Sequence, residues 1–384
     1  MIKNIQTLRK FTLLIAGSLT VMSGATIAPS LPQIAEVFSH IPHAELLTKL
    51  VLTMPALLIV IFAPISGIII DKLGRKKLLI FSLILYGIAG TSGLYANSML
   101  GLLIGRAFLG IAVAGIMTTI TTLITDYFAG DERNKFMGTQ AAFMAFGGVV
   151  FVLTGGILAE INWRAPFYLY FASFIILPIA VYFLYEPKKE KHEIHLNDPN
   201  FSKLPIIAVY AIAFIGMGIF YMIPLQMPFL LKEAVGASNF KIGLAISTSA
   251  LAGAIISLNF KRFKDKLRHR QIYVINFLLI AIGFISISFS KTYIMFLFSL
   301  ILTGLGFGLF MPNTSLFLIS IAPAKFRGRL IGGLTTTFFL GQFTSPIIVE
   351  PIKNMLDLSA TFGIAGIFLI LLSIGFFISC FKTS

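Results

Sequence analysis

Apolar runs of roughly 20 residues, separated by short polar segments, follow one another along the whole chain. An α-helix that crosses a bilayer needs about 20 such residues. The runs lack the short alternation of barrel strands, and hydrocarbon holds no water to satisfy open backbone groups, so they should be helices. We predict twelve, with these limits: 11–35, 46–70, 77–96, 99–127, 135–160, 165–185, 204–231, 240–260, 271–290, 292–321, 328–350 and 359–381.

The first run could also be read as a secretory signal, because Lys3, Arg9 and Lys10 precede it. It extends from Phe11 to about Ala35, which is longer than the apolar core of a signal peptide and suits a spanning helix. We interpret it as an uncleaved first helix.

Composition supports a polytopic membrane protein. The chain is 57% hydrophobic and 12% charged, whereas a soluble domain carries about a quarter charged residues. The net charge of +15 would suggest nucleic acid if the basic residues formed one face, but they lie in short clusters between apolar runs. One cysteine, Cys380, excludes a disulfide framework and a CxxC pair. We expect no metal site, because no histidine lies inside an apolar run.

Basic residues also predict the orientation. With the N-terminus inside, the cytoplasmic segments hold 23 of the 30 Lys and Arg residues, and the outer loops hold 6. Lys49 is counted among those 6, and Arg106 lies within predicted helix 4. The positive-inside rule then places both termini in the cytoplasm.

Two pairs of loops indicate an internal duplication. DKLGRK at 71–76 corresponds to DKLRHR at 265–270, and DERNKFMG at 131–138 corresponds to KFRGRLIG at 325–332, both at an offset of 194. We therefore predict a bundle over 1–185, a cytoplasmic linker over 186–203 and a second bundle over 204–384. Parallel six-helix repeats place a substrate cavity between them near the bilayer midplane.

The whole chain resembles the major facilitator superfamily. GIIIDKLGRKK is similar to the superfamily's signature between helices 2 and 3, and LLIGRAFLGIAVAG in helix 4 is similar to a second signature. GGILAEINWRAPF and YMIPLQMPFLLKEAVGAS resemble the drug:proton antiporter branch. Two features depart from that branch: no acid lies between Lys10 and Glu36, and FGGVVFVLTGG lacks proline. The resemblance implies a monomer in a bacterial inner membrane.

The loop after helix 2 contains a candidate conformational latch. Asp71 and Arg75 have the spacing of a pair across one turn, and Gly74 permits a tight bend. The resemblance implies that Asp71 contacts the start of helix 11 and that Arg75 contacts Asp126. The alternatives are that these basic residues only set topology, and that Asp126 carries a proton.

Arg106 is the coupling candidate. It lies seven residues into helix 4, so it must face the bundle interior or water. The resemblance implies proton coupling or a hold on helix 1, and the alternative is bonding to backbone carbonyls or snorkelling. Near the outer surface, Glu160 is interpreted as a solvated or paired acid and Trp163 as an interfacial anchor.

Polar residues deep in the apolar runs are candidates for the substrate cavity, with interhelical hydrogen bonding as the alternative. They are Ser23, Gln140, Tyr221, Gln226, Asn313 and Gln342. The runs Gly155-Gly156 and Gly304-x-Gly306-x-Gly308 are attributed to close helix packing. Between Ala234 and Val349 the only acid is Asp265, in a loop, so a neutral, zwitterionic or anionic amphiphile is expected.

These observations predict a secondary transporter that exports a small amphipathic compound (a drug, metabolite or metallophore-like molecule) by proton antiport. An importer or facilitator on the same fold stays open, and so does a non-transporting receptor or channel. No Walker A sequence occurs, so no nucleotide cofactor is expected. An enzyme is not expected, because no nucleophile, base and orienting group converge.

Overall fold

A computed structural model describes residues 2–187, 203–323 and 326–381, with side chains for residues 6–380 within these ranges. Within these ranges the regular structure is helical, without strands. Eleven helices are long and apolar enough to cross a membrane, and a further one has comparable length. In chain order they are α1 Gln6–Val37, α2 Ala44–Leu73, α3 Arg75–Leu94, α4 Met99–Tyr127, α5 Gly130–Ile161, α6 Ala165–Phe183, α7 Leu204–Val235, α8 Asn239–Leu258, α9 His269–Phe289, α10 Tyr293–Ile321, α11 Arg327–Met355 and α12 Leu358–Cys380.

Helix α11 is the more polar one. Its 29 residues include a run of three threonines at 335–337, and Gln342 and Ser345 are buried in its middle. It packs against α2 and α7. A helix whose polar side chains face protein rather than lipid needs less apolar surface, which explains its composition.

The helix ends differ from the predicted limits at several places. The predicted loop 131–138 is helical, because α5 begins at Gly130, and α11 begins at Arg327. Helix α7 is two segments that meet at Tyr221, and α1 contains a 3₁₀ turn at Ala28–Ser30. Most of the predicted linker 186–203 lies outside the described residues, so its boundaries stay predictions.

We call the side where α1 begins and α12 ends the terminal face, and the opposite side the distal face. We call α1–α6 the N-terminal half and α7–α12 the C-terminal half. Among the described residues, the halves meet along seams where α2 packs on α11, where α5 packs on α8, and where the last turns of α1 pack on α7 and α8.

Close approach at glycines shows where these seams are tight. A Cβ on Gly156 of α5 would lie 2.9 Å from the Asn239 carbonyl oxygen and 3.2 Å from the Cα of Gly243 in α8. Toward the terminal face α5 and α11 are less closely packed, because a Cβ on Gly138 of α5 or Gly328 of α11 would have no neighbour within 4 Å. The described halves are therefore in close contact toward the distal face.

The glycines of α10 behave as predicted. A Cβ on Gly304 or Gly308 would overlap the backbone of α8, and a Cβ on Gly306 would lie 2.8 Å from the Asn276 carbonyl oxygen of α9. The glycine run thus permits helix packing.

Candidate functional site

The terminal face of the N-terminal half holds an ion pair between two helices. Arg75 Nε on α3 lies 3.0 Å from Asp126 Oδ2 on α4. The expected contact between these two residues is present, and both members belong to the N-terminal half. Its role as a latch stays a prediction.

Gly74 is the single residue between α2 and α3, and its backbone explains why it is glycine. Its φ of 90° and ψ of 163° lie in a region that side chains rarely adopt. The Glu186 carboxylate fills the space beside it, accepting from the backbone N–H groups of Arg75 and Lys76, both at 2.8 Å. An anion is favoured at a helix N-terminus. Glu186 was assigned only to the linker, so this cap was missed.

Asp71 lies exposed on the last turn of α2. Its expected contact with the start of α11 stays a prediction, because residues 324–325 before that helix lie outside the described ranges.

Arg106 is buried on α4, with 1% of its surface exposed. Its Nη1 donates to the Tyr170 hydroxyl at 2.9 Å, and that hydroxyl donates to the Ser23 carbonyl oxygen of α1 at 3.1 Å. The guanidinium also lies 5.0 Å from the ring centres of Phe167 and Tyr170. This geometry agrees with a hold on helix 1 and does not agree with snorkelling.

Three of the predicted cavity residues surround α1 near mid-membrane. Tyr221 lies at the break in α7, and its hydroxyl lies near the Gln342 side chain of α11. The same hydroxyl is 3.9 Å from the position of a Cβ on Gly24. Gln140 Nε2 of α5 is 3.0 Å from the position of a Cβ on Gly17. These groups can donate and accept hydrogen bonds without carrying charge.

The other three are also buried, but only the Asn313 side chain makes a hydrogen bond between helices. The Ser23 hydroxyl donates to the Thr20 carbonyl oxygen at 2.8 Å. Asn313 Nδ2 donates to the His269 carbonyl oxygen at 3.0 Å, and its Oδ1 lies 2.9 Å from His269 Nδ1, so it joins α10 to α9. Gln226 is 1% exposed. The Ser23 hydroxyl and the Asn313 amide are thus held by protein groups, whereas the Oε1 and Nε2 atoms of Gln226 are buried without a hydrogen-bond partner, so Gln226 stays a cavity candidate.

The distal face contains a four-membered ring of alternating charges that sequence reasoning missed. We call Glu45, Lys49, Glu350 and Lys353 the charge ring. Lys49 Nζ lies 2.7 Å from Glu45 Oε1 and 2.7 Å from Glu350 Oε2. Lys353 pairs with Glu45 and lies 3.4 Å from Glu350 Oε1. Helix α2 supplies the first two residues and α11 the last two, so two contacts cross between the halves.

The charge ring lies inside the helices rather than in a loop. Lys49 is 0% exposed and Glu350 is 7% exposed. Each lies five residues from its helix end, about 8 Å along the axis. Lys49 is predicted to be an outer-loop charge. Glu350 follows directly after residues 234–349, in which Asp265 is the only acid. Glutamate and lysine are four residues apart on α2 and three residues apart on α11, and these spacings could have indicated an ion pair on each helix.

Other polar contacts also join the halves near the distal face. Glu160 Oε1 of α5 accepts from the Phe240 backbone N–H at the start of α8, at 2.7 Å. Glu36 pairs with Lys232 where α1 and α7 end. Glu160 is thus a paired acid, as interpreted. Trp163 is 9% exposed and packs edge-on against Phe38, so most of its ring contacts protein. Its interpretation as an interfacial anchor stays a prediction.

A cleft of about 690 Å³ opens beside the charge ring. Glu45, Glu350 and Lys353 form part of its wall, together with His43, Lys232 and Glu233. His43, just before α2, has a left-handed φ of 58°. Among the described residues, no cluster of three or more metal-ligating side chains occurs.

The chain matches the Major Facilitator Superfamily over residues 13–229 and 209–383. The Quinolone resistance protein NorA of Staphylococcus aureus (strain COL) is 25% identical over 300 residues, which cover 75% of this chain and 76% of NorA. Multidrug resistance protein 1 of Bacillus subtilis (strain 168) is 28% identical over 301 residues, which cover 75% of this chain and 76% of that protein. A crystal structure of a D-xylose-proton symporter has a TM-score of 0.77 at 16% identity and covers 96% of this chain and 97% of its own.

These similarities agree with the helices and the seams. The predicted all-α membrane fold is confirmed, and so is the expectation of a multi-pass transporter rather than an enzyme. Proteins of this kind bind small-molecule substrates within the membrane. The chain belongs to the Major Facilitator Superfamily of membrane transporters.

Proposed function

We propose that this transporter exports a small amphipathic molecule from a bacterial cell in exchange for protons, by alternating access between its two halves. The observation that carries the proposal is the distribution of contacts along the seams. The halves touch tightly at Gly156 near the distal face, whereas Gly138 and Gly328 have open space toward the terminal face. A rocking motion of one half against the other would exchange these two conditions.

The proposed orientation rests on the basic residues. Most Lys and Arg residues lie in the segments on the terminal face, which by the positive-inside rule is the cytoplasmic face of the inner membrane. The conformation described would then be open to the cytoplasm and ready to take up its cargo there. A monomer suffices for this motion.

The polar side chains near the middle of the spanning helices support the proposal of an amphipathic substrate without strong positive charge. Gln140, Tyr221 and Gln342 present two amides and a phenol, and the acids of the described spanning helices lie near helix ends. A strongly cationic molecule would therefore have no carboxylate at mid-membrane, which favours a neutral, zwitterionic or anionic amphiphile. The names of the relatives, a quinolone resistance protein and a multidrug resistance protein, support drug-like cargo.

An importer on the same fold is the second candidate. The fold is similar to that of a D-xylose-proton symporter, and fold alone does not set the direction of transport. Direction therefore has to be measured.

Transport into inside-out vesicles tests the proposal. With an acidic lumen, we expect uptake of a fluoroquinolone and of a neutral dye, with less uptake of tetraphenylphosphonium. Dissipating the pH gradient should abolish accumulation. Gln342→Leu should lower uptake at least about fivefold by removing a buried hydrogen-bonding group, which is a loss of about 1 kcal/mol or more.

The matched control is Gln6→Leu, at the exposed start of α1, which should transport like the wild type. Accumulation only in right-side-out vesicles with an acidic exterior would establish the importer instead. A chain that moves no compound in either orientation would exclude both.

A further inference from the structure

We propose that the terminal face of the N-terminal half binds an anionic phospholipid, in a cleft where α2 ends, α3 begins and α6 ends. Lys72 and Lys77 hold the lipid phosphate, and the exposed apolar side of α3 holds an acyl chain. The inference goes beyond the proposed function, since it depends neither on the cargo nor on the direction of transport.

The cleft has the size and the charge of an anion site. We call it the basic cleft. Its volume is about 460 Å³, which lies within the range of about 300–1,000 Å³ for small-molecule sites. The charged residues of its wall are Lys72, Lys76, Lys77 and Glu186. Three ammonium groups therefore face one carboxylate, and the cleft favours a negatively charged ligand.

The carboxylate of the wall and one of the lysines already have partners. Glu186 accepts from two backbone N–H groups at the start of α3, both at 2.8 Å. Lys76 Nζ donates to the Val181 carbonyl oxygen of α6 at 2.7 Å, which ties α3 to α6 along one side of the cleft. Lys72 and Lys77 are exposed on either side of the junction between α2 and α3. Their ammonium groups can therefore reach a phosphate in the cleft.

The basic cleft continues into an apolar stripe on α3. Ile80 lines the cleft, and Phe81, Ile84 and Ile88 are exposed along the helix beyond it. These three lie four, seven and eleven residues after Lys77, which is the spacing of one helix face. The stripe from Lys77 to Ile88 is about 16 Å long, and one leaflet holds about 15 Å of hydrocarbon. A lipid chain on this stripe keeps its phosphate level with the lysines.

The combination of the two parts identifies the ligand class. A free phosphate would use the lysines but not the stripe, and a zwitterionic lipid would use the stripe but place a second positive charge beside the lysines. Basic pockets between spanning helices on the cytoplasmic side bind anionic head groups. An anionic phospholipid such as phosphatidylglycerol satisfies both parts of the cleft.

The segment between α8 and α9 provides a matched control. Lys261 and Lys266 are exposed there, in the C-terminal half. The double variants Lys72→Gln/Lys77→Gln and Lys261→Gln/Lys266→Gln both remove two positive charges from exposed positions. Only the first pair belongs to the basic cleft.

The experiment measures which lipid lies against α3. Full-length protein carrying Cys380→Ser and Ile84→Cys is labelled with a bimane fluorophore and placed in phosphatidylcholine nanodiscs. A small fraction of lipid with a nitroxide on its acyl chain is added, either as phosphatidylglycerol or as phosphatidylcholine, and the two quenching constants give a relative affinity. We expect a preference for phosphatidylglycerol of at least about tenfold, because each basic residue strengthens the attraction about fivefold. The first double variant should abolish most of this preference, and the control pair should keep it.

Three results would overturn the proposal. The first is equal quenching by the two lipids, and the second is an equal loss of preference in the two double variants. The third is displacement of the labelled phosphatidylglycerol by inorganic phosphate, which would show that the cleft binds the phosphate alone. A protein that keeps the lipid preference but moves no compound in the vesicles would refute the proposed function and leave the lipid site intact.

Discussion

The tight crossing of α5 and α8 predicts that one methyl group shifts the protein toward the form that is open at the distal face. A Cβ on Gly156 would lie 2.9 Å from the Asn239 carbonyl oxygen and 3.2 Å from the Cα of Gly243. Both neighbours are backbone atoms of α8, so no side-chain rotation can relieve the overlap. Gly156→Ala must therefore push the two helices apart or strain them.

The size of the shift between the two forms depends on which form contains the overlap. Overpacking of a closely packed contact costs about 1–3 kcal/mol. In the proposed cycle only the form closed at the distal face has this contact, so the cost falls on that form alone. A difference of about 1–3 kcal/mol changes a two-state ratio roughly 5- to 150-fold.

The assay is the distance between spin labels at Ile161→Cys and Lys291→Cys, on the distal ends of the two halves, in full-length protein that carries Cys380→Ser. Gly156→Ala should raise the ratio of open to closed forms roughly 5- to 150-fold. Gly147→Ala is the control on the same helix, because its Cβ would be 3.4 Å from a Phe151 ring carbon and 3.7 Å from Ser18 Cβ, which are ordinary contacts. Equal open fractions in the two variants would refute the reasoning. A lower melting temperature with an unchanged distance ratio would mean that both forms keep the crossing.

Three further outcomes can be measured by thermal unfolding of the purified protein. Gly74→Ala should lower the free energy of unfolding by about 1–3 kcal/mol, because alanine is strained at this φ and ψ, and a normal stability would contradict the assigned backbone. Arg75→Ala and Asp126→Ala should show a coupling of about 1 kcal/mol or less in a double-mutant cycle, as expected for a partly exposed pair, and exact additivity would mean that the ion pair contributes nothing. Tyr170→Phe should cost about 1–3 kcal/mol by leaving the buried Arg106 without its hydroxyl partner, whereas a neutral result would show that the two ring contacts suffice.

The sequence predicts the helices well because length and apolar composition are local properties. The limits of α4 agree at both ends, 99–127, and Ser98 caps it by accepting from the Gly101 backbone N–H. The start of α5 was placed five residues late, because Asp131, Glu132 and Arg133 read as a loop. Charged residues can occupy a helical turn that extends beyond the hydrocarbon, so polarity alone does not end a helix.

The candidate site could be predicted only in part, since long-range partners leave no local pattern. Lys49 and Glu350 are 301 residues apart, and neither segment looks unusual by itself. Side-chain direction is the second difficulty. Asn313 lies on the apolar helix α10, and the sequence does not show that its side chain bonds His269 of α9. In a helix that is apolar on all sides, the spacing of the apolar residues does not reveal which face is buried against protein.

The two duplicated loops show how one physical requirement is met in two ways. A helix that follows directly on another must satisfy its first N–H groups. At the start of α9 this is local, because Gln271 Oε1 accepts from the Arg268 backbone N–H at 2.8 Å. At the start of α3 the acceptor is Glu186, 111 residues away from Arg75, and it reaches the helix only because Gly74 has no Cβ. The glycine that differs between DKLGRK and DKLRHR therefore ties the end of α6, where the predicted linker begins, to α3. A change in the linker's position would act on this cap directly, whereas the C-terminal copy has no such connection through Arg268.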